Sequence, residues 1–74
     1  MTTAEARTLR PGDEVVLLEN FYHTHGAGAH DCIPGTAHRV IELIEISTKL
    51  LVVVDEASSV GFIPSEIRLF RRRP

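Results

Sequence analysis

Apolar positions dominate the middle of the chain. From Arg39 it reads Arg-Val-Ile-Glu-Leu-Ile-Glu-Ile, breaks at Ser47-Thr48-Lys49, and resumes as Leu-Leu-Val-Val-Val-Asp through Asp55. Two β-branched runs around a short polar break predict a hairpin. Val40, Leu43 and Ile44 also fall at helical spacing. A helix is rejected because Ile, Val, Ser and Thr lose side-chain freedom or compete with the backbone there. Residues 50–54 would also leave such a helix without a polar face.

The rest of the chain is read around this hairpin. Residues 1–8 are polar, with weak helical character at Ala4-Glu5-Ala6, and are expected to form a flexible arm. Leu9-Arg10-Pro11-Gly12-Asp13 carries turn chemistry, and Glu14 to Glu19 reads as a strand. Residues 20–37 show no clear period and contain Gly26, Gly28, Pro34 and Gly35, so they predict a long loop. After a turn at 56–59, Val60-Gly61-Phe62-Ile63 reads as a short strand. Pro64-Ser65-Glu66 reads as a single 3-10 turn. Ile67 to Arg71 alternates apolar and basic, as a closing strand with one buried face does. Residues 72–74 are a basic tail.

Five short strands, a long first loop and a single turn before the last strand predict an all-β chain folded as a small barrel over residues 9–71. Two stretches resemble the SH3-like family in the same order. Pro11-Gly12-Asp13-Glu14-Val15 is similar to the opening turn of prokaryotic SH3-like and KOW-like barrels. Gly61-Phe62-Ile63-Pro64-Ser65 resembles the run before the last strand of signalling SH3 domains. The resemblance implies a five-stranded SH3-like barrel. It does not extend to proline-peptide binding: the chain has no Trp, Ile67 stands where those domains carry Tyr, and the first strand has no aromatic pair.

Composition limits the functional classes. With 74 residues the chain is one domain, and a core of that size gains little more than ~3–5 kcal/mol without a staple. Cys32 is the sole cysteine, so no intrachain disulfide forms. A formal net charge of −2 argues against a dedicated nucleic-acid binder. Arg68, Arg71, Arg72 and Arg73 nevertheless cluster near the C-terminus, which keeps a KOW- or Tudor-like nucleic-acid module as an alternative. The first residues carry no apolar signal-peptide run, and no stretch reaches membrane-spanning length. The expectation is a cytoplasmic protein, or a virion protein if phage-encoded.

The long loop holds the unusual chemistry. His23, His25, His30 and Cys32 offer imidazole and thiolate donors, the set that zinc prefers. The competing reading is a solvated loop whose histidines bind nothing. A His30–Cys32 nucleophile pair is the weakest reading, because nothing evident orients it. No phosphate loop, dinucleotide fingerprint, carboxylate pair or hydrolase elbow is present, so no enzyme is expected, and no cofactor unless zinc. Phe21 and Tyr22 are read either as partner anchors or, for Phe21, as a cap on the core.

The strands carry more apolar residues than one barrel interior takes up. Val15 and Leu17 fill one face of the first strand and Val16 and Leu18 the other, and residues 50–54 repeat this. The surplus predicts an interaction face, with Val16, Leu18, Val52 and Val54 as candidates. The expected function is a non-enzymatic protein-interaction or assembly module. Its partner would be a second copy or another protein, as in a larger complex or a phage particle.

Overall fold

The computed structural model describes residues 1–19, 34–55 and 60–74. Among them a short helix α1 (Thr3–Ala6) precedes strands β1 (Glu14–Leu17), β2 (Ala37–Ile46) and β3 (Lys49–Val54). A single 3-10 turn at Pro64–Glu66 leads into β4 (Ile67–Arg71). The strands form one antiparallel four-stranded sheet in the order β3-β2-β1-β4.

The hairpin forms where the β-branched runs predict it. Ile46 pairs with Lys49 across Ser47-Thr48, and Ser47 has φ 55°. A positive φ at the first loop residue suits the twist of a two-residue hairpin. Opposite Val53 the ladder slips by one position, so Ile41 is the extra residue of a bulge between Val40 and Glu42.

The expected fifth strand and barrel closure are not found among the described residues. Val60–Ile63 contributes a single bridge, Phe62 to Val52. Two local features end the ladder. The Ile63 N–H donates to the Glu66 carboxylate at 2.9 Å, and Pro64 has no N–H to give. Gly61 lies so close to β3 that a Cβ there would stand 2.7 Å from Leu51 Cβ. Among the described residues the sheet is therefore open, in the order β3-β2-β1-β4 with β3 and β4 outermost.

One face of the sheet carries the core. Val15, Leu17, Val40, Val52, Val54 and Ile67 pack there with Phe62, which is fully buried. Ala6 and Leu9 close this core from the N-terminal side. Residues 1–8, expected as an arm, are thus held against the sheet. A capping box at Thr2 and Glu5 starts α1, with the Glu5 N–H donating to Thr2 Oγ1 at 3.1 Å and the Thr2 N–H to Glu5 Oε1 at 2.9 Å. The Met1 nitrogen donates to the Ile67 and Pro64 carbonyls.

Candidate functional site

Burial changes which apolar side chains are available to a partner. Val16, Val52 and Val54, candidates for the outward apolar surplus, are all buried: Val52 and Val54 at 0% exposure, Val16 at 1%. Val52 and Val54 belong to the core-facing parity of β3. Val16 and Val53 have the opposite parity and are buried as well. An apolar residue of either parity in β1 or β3 is therefore no sign of exposure. Leu18 alone of these candidates lies open, at 52%.

The exposed apolar residues follow instead from the length of β2. Only Ala37, His38 and Arg39 pair with β1, and Val40 closes that ladder by bonding Gly12 and Asp13. From Ile41 onward β2 is paired with β3 alone. This ribbon shows Ile41 and Ile46 exposed and Ile44 and Leu51 half-buried. Register puts Glu42, Ile44 and Ile46 opposite Val53, Leu51 and Lys49, on the face away from the core.

The backbone of this ribbon has a definite polarity. Val52 spends its N–H and C=O on Phe62, at 2.8 and 2.9 Å. Its pairing with Leu43 is therefore the non-hydrogen-bonded kind, and so is the Leu50–Glu45 pairing two residues on. The N–H and C=O of Leu43 and Glu45 thus point away from β3, and no backbone partner meets them among the described residues. An unpaired strand edge of this kind is a template for another strand. The Glu45 side chain accepts from Arg7 Nε at 3.1 Å.

The C-terminal arginines are arranged differently from a solvated tail. Asp13, at 3% exposure, accepts from the Arg73 N–H at 2.7 Å, the Arg10 N–H at 2.9 Å and the Arg72 guanidinium at 3.4 Å. The Arg73 N–H, then the Arg10 N–H and the Arg72 guanidinium, hold its carboxyl below the ordinary value of 3.8 against the opposing effect of burial. Arg71 Nε donates to Glu14 at 2.7 Å, and Arg72 also bonds the Thr8 carbonyl and hydroxyl. Carboxylates thus hold Arg71 and Arg72 by their side chains and Arg73 by its backbone N–H at the start of β1, with all three, like Arg68, still exposed. The tail expected at 72–74 is a strap.

His23, His25, His30, Cys32, Phe21 and Tyr22 lie outside the described residues. Among the described residues no group of three or more His, Cys, Asp or Glu side chains is placed to hold a metal ion. His38 is buried and has a partner within the fold. No described helix is long and apolar enough to cross a membrane. Comparison with known proteins gives no match to a family model, to a curated protein or to a solved structure.

Proposed function

We propose that this chain is a non-enzymatic protein-interaction or assembly module, built on an SH3-like strand order. The observation that carries this reading is the β2–β3 ribbon. It runs past the shared sheet with Ile41 and Ile46 at 39% and 58% exposure on a strand with one edge unpaired among the described residues. In a domain this small, leaving such residues in water forgoes roughly half of the about 1.5–3 kcal/mol that full burial of a large aliphatic side chain contributes, which a partner recovers on docking. The SH3-like reading is supported by connectivity: the last strand pairs with the first, the first with the second, the second with the third, and the third reaches Phe62.

The test is the double substitution Ile41→Thr with Ile46→Thr. It retains β-branching while removing exposed apolar surface. The variant is expected to keep the far-ultraviolet circular dichroism of the wild type and to lose association, measured by light scattering and by co-purification from the native host. A wild type that neither self-associates nor co-purifies with a partner contradicts the reading, while unchanged association by the folded variant moves the contact away from Ile41 and Ile46.

A further inference from the structure

The proposed interaction module leaves its partner open, and the edge of β2 names one. We infer that a second copy of this chain pairs with it, edge to edge, antiparallel along β2 about a two-fold axis at Ile44. The inference rests on the reading of the chain as an interaction module and adds the contact.

The argument starts from the outward backbone groups. Those of Leu43 and Glu45 are presented at the edge, separated by Ile44, whose own backbone groups face β3. An antiparallel pair satisfies outward groups only where both strands present them. With Ile44 opposite its own counterpart, Leu43 of each copy faces Glu45 of the other. Each such pair exchanges two N–H to C=O bonds, so every outward group of both residues is used. A centre at Leu43 would place Glu45 opposite Ile41, which the bulge takes out of the regular ladder. A centre at Glu45 would oppose two carboxylates directly, which is destabilising.

The side chains agree with the same register. On the face away from the core, Ile44 meets Ile44 of the second copy, and Ile46 meets Glu42. On the core-side face, Leu43 meets Glu45. No two like charges stand directly opposite. The two Glu45 carboxylates approach only diagonally, and each is already paired with the Arg7 guanidinium of its own chain. The contact is self-complementary, as a closed two-fold interface requires. The β4 edge offers no such match. The Ile67 N–H goes to Pro64 and its carbonyl accepts from Met1, so the outward groups at the start of that edge are already used.

Sedimentation velocity on the whole chain tests the inference. Wild type is expected to pass from monomer to dimer as concentration rises. Glu45→Pro removes an N–H with no backbone partner among the described residues, together with the exposed Arg7–Glu45 pair, at a strand edge where proline is tolerated. It should weaken the dimer by at least ~tenfold. Ile44→Glu should also be monomeric, as should Ile44→Lys, and an equimolar mixture of the two should regain a dimer. This charge pair decides the matter if the proline variant fails to fold. A wild type that is monomeric at every concentration overturns the second-copy inference, while association with a different protein would still satisfy the broader reading. A dimer that survives Glu45→Pro and the Ile44 charges, but is lost with Ile41→Thr and Ile46→Thr, overturns the edge contact and keeps the apolar face.

Discussion

Asp13 shows how one side chain joins the two ends of the chain. It turns the backbone at Arg10 and receives the backbone of Arg73, so removing its charge loosens both. Asp13→Asn is expected to destabilise the fold at neutral pH by about 1.5–3 kcal/mol, the range for hydrogen bonds to a charged group. The pH dependence has a definite sign. The folded carboxyl titrates below its ordinary 3.8. Its contribution is therefore complete above that value and is lost as pH falls through the lower, folded one. Urea denaturation of wild type and variant should show a gap that is constant near neutrality and narrows below about pH 4. Val52 and Val54 make the complementary case. Both are buried in the core, so Val52→Thr with Val54→Thr inserts two hydroxyls where each costs about 1–3 kcal/mol if left without a partner. That sum matches the stability available to a domain of this size. The double variant is expected to lose its cooperative urea transition at 25 °C, whereas a folded variant would show that β3 faces the other way.

At the scale of elements, the strongest patterns in the sequence carried through and the weaker ones were decided by neighbours. The hairpin was legible because two β-branched runs flank a polar break, and β2 and β3 occupy it with small changes of boundary. The strand at 67–71 was legible from its alternation, and the turn before it from Pro64. The strand expected at 60–63 shrank to one bridge because Glu66 reaches back to the Ile63 N–H, a contact that hydropathy does not encode. The helix at 3–6 had a readable signal in Thr2-Thr3-Ala4-Glu5, which has the spacing of a capping box. Burial parity was the least legible property. Apolar runs on both faces of a strand fit an exposed patch or a second buried face equally well, and periodicity cannot separate the two. The candidate edge was hidden for a related reason. It depends on where β1 stops pairing and on which residues of β3 turn toward Phe62, and both are set by contacts distant in sequence.

For the molecule as a whole, an open sheet is the central fact. A small barrel closes by pairing its outer strands, which removes free edges. Here the described strands leave one edge of β2, the edge away from β3, unpaired beyond Val40, in a domain whose core is close to the minimum for independent stability. Association through that edge would satisfy the backbone and bring Ile44 against its counterpart in one step. Amide hydrogen exchange, followed by nuclear magnetic resonance over a wide range of protein concentration, tests this most directly. In the monomer the Leu43 and Glu45 N–H groups face outward and should exchange fast, while those of Glu42, Ile44 and Ile46 are held by β3. Slowing of the Leu43 and Glu45 amides as concentration rises, with little change in those three neighbours, is the result predicted. Exchange at Leu43 and Glu45 that stays equally fast from dilute to concentrated solution would contradict the account.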